Sequence, residues 1–230
     1  DLVTDMVFEF TELEGIVGGY YARASGEPDA VAAAIAEQYQ PRGPSDDIPA
    51  TDAGRVLALA DKFDTLAGQF ALGNRPTGDR DPLGLRRAAL GVLRILLEAE
   101  QSLDLQAAVT AALSQQPVTG EAESKDALLS FFADRLRGLL SDQGIGTDVF
   151  EAVTALQLRD PLEIQRRSQA VLAFQGSAAA NSLAAAHKRV RNILKKNGED
   201  AAAVDIRLFE ADAERSLHET MGRLADQVTT

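Results

Sequence analysis

Cysteine and tryptophan are absent from this 230-residue chain, and histidine occurs only twice. Without thiols there is no disulfide framework and no thiolate metal site, the pattern of a protein kept in a reducing compartment. His187 and His218 lie far apart with no H-x-x-x-H spacing, so a zinc site is not expected and no metal ligand is assigned. Aromatic residues make up 5% of the chain and runs of β-branched residues are missing, which disfavours strands. No apolar run approaches the ~18–20 residues that span a bilayer, and no segment has the layout of a signal peptide. A soluble, cytoplasmic protein without a membrane partner is the expectation. Gly-x-Ser-x-Gly is missing too, and no serine or threonine stands near a histidine in a recognisable pattern, so no catalytic residue is assigned.

One stretch imitates a nucleotide site. In "GNRPTGDRDPLGLRR", residues 73–87, the first six residues fit a G-x-x-x-x-G frame. A phosphate-binding loop then requires Lys and a hydroxyl residue, but Asp79 and Arg80 stand there, and Asp79 and Asp81 repel phosphate. The preceding segment also has helical periodicity, whereas such a loop follows a strand. The stretch reads instead as a joint between helices. Gly73 closes one helix, and Asp81-Pro82 opens the next with a capping carboxylate and a proline at the first helical position. Arg86 and Arg87 follow in the first turns, against the helix dipole, which calls for an acidic partner or an RNA contact.

What the chain has in quantity is helical periodicity. Val56, Leu59, Ala60, Phe63, Leu66, Ala67 and Phe70 form one stripe at spacings of three and four, and Leu85, Ala89, Val92, Leu93 and Leu96 form another. Further helices are expected near 11–24, 28–39, 103–115, 126–141, 148–157, 161–174, 178–197 and 204–226. Asp160-Pro161 repeats the start signal of Asp81-Pro82, with Glu163 placed for a capping box. The fold class is therefore all-α. The clearest loops are 40–50, 73–80 and 115–124, and the last is the expected domain boundary. "DLVTDMVFEF" is amphipathic from residue 1 without a cap, the expectation for an excised fragment.

Charge is unevenly spread. The chain is net −12, yet residues 159–196 hold eight bases against Asp160 and Glu163 alone. Such an island is either a solvated helix face or a polyanion-binding surface. Within it, "NSLAAAHKRVRNILKKN" sets Leu183, Ala186, Val190, Ile193 and Leu194 on one side. Lys188, Arg191, Asn192 and Lys195 fall at i, i+3, i+4 and i+7 on the other. Lys and Arg suit phosphate, and Arg and Asn also hydrogen-bond unpaired bases. Arg166 and Arg167 are expected to join this helix in a hairpin. Asp61 and Asp64, three apart beside Lys62, are either a solvated face or a divalent-ion or acid/base pair. Phe131, Phe132 and Phe150 are core residues or stacking surfaces.

Three blocks, "LVTDMVFEFTELEGIVGGYYA", "IPATDAGRVLALADKFDTLAGQFALGNRPTGDRDPLGLRRAALGVLRIL" and "LAAAHKRVRNILKK", resemble the C-terminal portion of the bacterial glycyl-tRNA synthetase β subunit. The resemblance runs from residue 1 to about 225. Phe8, Asp79-Arg80 and Leu83-Gly84 depart from the family's usual Gly, Ser-Lys and Phe-Ala. It implies a tetramer of two α and two β subunits that joins glycine to its tRNA with ATP. Aminoacylation, with its ATP and Mg²⁺, then belongs to the α subunit and tRNA binding to β, leaving no cofactor in this fragment. Residues 1–116 resemble the later part of an HD-type helical domain, with Asp61 at the place of a late aspartate ligand but without the histidines its metal requires. After a linker at 117–124, residues 125–230, opening "KDALLSFFADRLRGLL", resemble the DALR-like helical anticodon-binding domains of class I synthetases.

The expectation is thus a non-catalytic, two-module helical piece of a tRNA ligase that docks the anticodon arm through Arg166, Arg167, Lys188, Arg189, Arg191, Asn192, Lys195 and Lys196. The alternatives are an HD-type metal-dependent phosphohydrolase remnant and a helical scaffold for subunit assembly.

Overall fold

Amphipathic stripes become helices wherever a cap, a glycine or a proline bounds them. The computed structural model describes residues 1–76, 81–118, 123–197 and 204–228, apart from the side chains at 178, 181, 196, 197 and 225–228. In order, the elements are α1 (Asp5–Glu9), a 3-10 turn (Thr11–Leu13), α2 (Val17–Ala24), α3 (Asp29–Glu37), α4 (Asp52–Ala71), α5 (Leu85–Glu98) and α6 (Leu105–Ser114). Then follow α7 (Ser124–Asp142), α8 (Thr147–Thr154), α9 (Pro161–Gln175), α10 (Ala178–Asn197), a second 3-10 turn (Ile206–Leu208) and α11 (Asp212–Val228). No strand occurs among the described residues, so the fold is all-α.

Local chemistry explains the ends of these helices. Thr51 caps α4 by accepting from the Gly54 amide at 3.0 Å, and its hydroxyl donates to Glu37 at 2.6 Å, which ties α3 to α4. At the other end of α4, Gly73 adopts φ +76, its amide reaching Phe70 O and that of Asn74 reaching Gln69 O. This is the double-bonded Schellman termination that a left-handed glycine permits. Asp160 caps α9 with Pro161 in its first turn, accepting from Leu162 N at 2.9 Å. Glu163 pairs with Arg167 and forms no capping box with Asp160 among the bonds seen.

Two expected helices are shorter than their periodicity suggested. The 11–24 segment breaks at Gly15, which sits at φ +70, and the Asp1 carboxylate accepts from the Gly15 and Gly18 amides at 2.9 and 3.0 Å. The 204–226 segment divides into the Ile206–Leu208 turn and α11. Asp81 also acts differently from expectation. Pro82 is not the first residue of α5; the cap is Gly84, in the left-handed region at φ +67. Asp81 reaches past that extra turn and accepts from the amides of Leu85 and Arg86, both at 2.8 Å. It still neutralises the helix start, from one turn further out. Asp79 and Arg80 lie outside the described residues.

The chain divides into two compact units, Asp1–Gly176 and Ser177–Thr230. The division therefore falls at 176/177 and not at 117–124. The reason is a single apolar core in the first unit, to which helices on both sides of 117–124 contribute. Phe63, Leu66 and Phe70 from α4 and Leu85, Val92, Leu93 and Leu96 from α5 join Leu128, Phe131, Phe132, Leu136 and Leu140 from α7, Val149 and Phe150 from α8, and Leu162 from α9. Phe63 and Phe132 approach with ring centroids 5.8 Å apart, and Phe70 and Phe131 at 5.3 Å. Each such side chain contributes about 1.5–3 kcal/mol by leaving water. Phe131, Phe132 and Phe150 are thereby core residues, at 9% exposure or less, and are not available for base stacking.

Candidate nucleic-acid interface

The second unit carries the basic helix. Ser177 opens α10, with its hydroxyl accepting from the Ala180 amide at 3.2 Å. From there twenty residues without proline or glycine continue the helix. Lys188, Arg189, Arg191, Asn192 and Lys195 are all exposed. Among the described residues, none of these four cations has a carboxylate within ion-pairing distance. Lys188, Arg191 and Lys195 share one exposed face of α10, with Arg189 at its flank, and these four unpaired positive charges form a field that an extended polyanion can satisfy at several points. The Lys196 side chain lies outside the described residues.

Arg166 and Arg167 belong to the first unit, on α9, and both are already engaged. Arg166 pairs with Glu100 at 2.9 Å, and Arg167 pairs with Glu163 one turn earlier. Neighbouring Arg159 lies 3.8 Å from Asp104. Exposed pairs of this kind are worth about 0–1 kcal/mol and can yield to a phosphate. The α10 cations need no such exchange.

The opposite stripe of α10 does not pack as its periodicity implied. Leu183, Val190, Ile193 and Leu194 are each at least 51% exposed. Leu217, Met221 and Leu224 on α11 are similarly open, at 48–63%. Sequence pattern identifies such a stripe as apolar but not what covers it. His218 rests edge-on against the Phe209 ring at 5.6 Å, a packing contact.

The paired aspartates of α4 diverge. Asp64 accepts from the Gln116 side-chain amide at 2.9 Å, while Asp61 faces a cavity beside Lys62. Asp61 reaches the surface, yet the cavity walls strip enough water from it to push its carboxyl above the usual range; Lys62 opposes that shift, while Asp64 and Glu14 add to it. Among the described residues no group of three or more His, Cys, Asp or Glu is arranged to hold a metal ion. With Asp64 turned to Gln116, the two carboxylates do not fit an HD-type metal centre. Lys62 is the residue sequence reasoning passed over. It is 5% exposed, and its ammonium donates to Tyr39 O at 3.2 Å. Burial holds its pKa below the ordinary lysine value, against the pull of Asp61 and Asp46.

No helix among the described residues is long and apolar enough to cross a membrane. A family model described as glycyl-tRNA synthetase beta subunit matches residues 1–155. A glycine–tRNA ligase beta subunit from Chromohalobacter salexigens is 51% identical over 219 residues, covering 94% of this chain and 32% of that protein. The proteins of the same name from Ectopseudomonas mendocina and Acidovorax sp. (strain JS42) are 48% and 47% identical, each over 99% of this chain and 33% and 31% of their own length. The chain thus spans about a third of these curated relatives. The match extends past residue 155 in the relatives, so it includes the basic helix. With two thirds of the chain matched by the family model and near-complete alignment at about half identity, the chain belongs to the glycyl-tRNA synthetase β-subunit family.

Proposed function

We propose that this chain is a tRNA-binding part of a glycine–tRNA ligase β subunit, and that α10 docks the anticodon arm. The observation that carries the reading is the row of exposed, unpaired cations at Lys188, Arg189, Arg191 and Lys195. Phosphate contacts from these residues, and from Lys196 as the sequence suggests, set position; Arg191 and Asn192 add hydrogen bonds to unpaired bases. Arg166 and Arg167 contribute by exchanging their carboxylate partners for phosphate. ATP, Mg²⁺ and the joining of glycine to tRNA fall to a partner α subunit, two copies of each chain forming the cytoplasmic enzyme. Family membership and the lack of a nucleophile pattern in this chain both favour that division of labour.

The test is a gel shift with tRNA for glycine. Lys188→Glu combined with Arg191→Glu should weaken binding roughly tenfold or more while leaving the helical circular dichroism spectrum intact. Unchanged affinity in a folded variant would sink the assignment. A second reading rests on the uncovered apolar stripes of α10 and α11, which suit a scaffold that seats the α subunit. Co-purification with α in the absence of any tRNA affinity would favour it. The phosphohydrolase alternative draws no support from the divergence of Asp61 and Asp64.

A further inference from the structure

The nucleic-acid reading makes no use of a cavity of about 460 Å³ in the first unit. It lies between the Thr11–Leu13 turn, the segment 39–42, α4 and the first turn of α5. Six charged side chains line it: Glu12, Glu14, Arg42, Asp61, Lys62 and Arg87. Three are acidic and three basic, yet among the described residues no ion pair joins any two of them.

Lys62 shows how this separation is maintained. Its stem crosses α5 at Gly91, where a Cβ would meet Lys62 Cε at 2.6 Å. Only a glycine leaves room for that path. The ammonium is held by Tyr39 O, and one bond leaves further donor capacity on a group that has three N–H donors. The lysine is thus positioned by helix packing, without a carboxylate clamp. Both signs of charge are presented to the same space, and among the described residues no ion pair ties one to the other.

That balance selects the ligand. A simple anion would meet three carboxylates, and a simple cation would meet two guanidiniums and an ammonium. A molecule carrying both signs satisfies each set at once. The volume lies within the ~300–1,000 Å³ of small-molecule sites and exceeds the need of a bare ion. We propose that the cavity binds a small zwitterion of the amino-acid or short-peptide class, its carboxylate meeting Arg42 and Arg87 and its ammonium meeting Glu14 and Asp61. No residue of α10 lines this cavity, and the site stands whether or not tRNA binds α10.

Calorimetric titration of the chain with three probes tests this: L-alanyl-L-alanine, its N-acetyl derivative and its C-terminal amide. The first carries both charges, and each of the others carries one. The free dipeptide should bind saturably and roughly tenfold more tightly than either blocked form, a difference of one charge-assisted hydrogen-bonded pair. Arg87→Gln and Glu14→Gln, both at exposed positions, should each weaken it by about tenfold while circular dichroism stays unchanged. Equal binding of a blocked form, indifference to both folded variants, or no saturable heat from any probe would each overturn the proposal. Should either glutamine variant lose its fold, Arg42→Gln, also at an exposed position, supplies the same comparison.

Discussion

The Ser124 hydroxyl donates to the carbonyl oxygen of Phe70 at 3.0 Å, in a site where Ser124 is 2% exposed. Ser124, the last residue of the polar 115–124 stretch, begins α7, and Phe70 lies near the end of α4, so one buried bond spans the boundary that composition suggested. Ser124→Ala should cost about 1 kcal/mol, the net value of such a bond. Phe70→Ala should cost about 3–5 kcal/mol by opening a cavity between α4 and α7. In urea, both variants should shift a transition that far-ultraviolet circular dichroism and Phe-region spectra report at the same midpoint for the first unit. Separate melting of 1–116 and 125–176 would contradict the shared core.

Lys62 gives the first unit a pH dependence of known sign. Its folded-state pKa lies below the ordinary 10.5, so in the window beneath that value the unfolded chain binds more protons than the folded one. Its contribution to stability therefore rises as pH climbs from the depressed folded value toward the unfolded value. Relative to Lys62→Met, the wild-type chain should gain stability between pH 7 and pH 10. Urea melts of both proteins across that range check it, and the tyrosine titrations common to both cancel in the difference.

Glu100 ends α5 in an uncomfortable conformation. It sits at φ +51, and the amides of Glu100 and Gln101 reach back to Leu97 O and Leu96 O. That is the termination seen at Gly73, built here on a side-chain-bearing residue. Glu100→Gly should stabilise by about 0.5–1 kcal/mol through relief of the left-handed strain. Loss of the exposed pair with Arg166 should subtract only a fraction of that. Comparison with Glu100→Ala, which loses the pair but keeps the strain, separates the two effects in a thermal melt.

The α10 surface should declare itself by salt. If five cations, Lys188, Arg189, Arg191, Lys195 and Lys196, each engage a phosphate, the slope of log K against log salt should be roughly −3.5 to −4.5. Each charge-removing substitution should flatten that slope by about one. Filter binding at a series of KCl concentrations measures it.

The basic stripe was legible in advance because it depends only on helical spacing and on the scarcity of acids between 159 and 196. Gly73 and Asp160 were legible for the same reason: their bonds close within a few residues. Asp81 was identified as a cap at the wrong distance, because the left-handed turn at Gly84 sets α5 back to Leu85. The Thr51 cap carried its own signal, a threonine ahead of Asp52 and the α4 stripe, and was passed over. What escaped the sequence is tertiary. Asp1 breaks the 11–24 helix from outside it, and Lys62 is buried because Gly91 on another helix leaves space. The 115–124 stretch is polar, and polarity cannot reveal that the helices on either side of it share one core.

That shared core also dictates an order of events during synthesis. As α4 and α5 leave the ribosome, Phe63, Phe70 and Leu93 lack the part of their core that α7 to α9 supply, since those helices are still to be translated. Phe70 meets Ser124 only after more than fifty further residues have been made. A chain stalled or cleaved in 117–124 therefore presents an unfinished apolar face to chaperones and proteases instead of a finished domain.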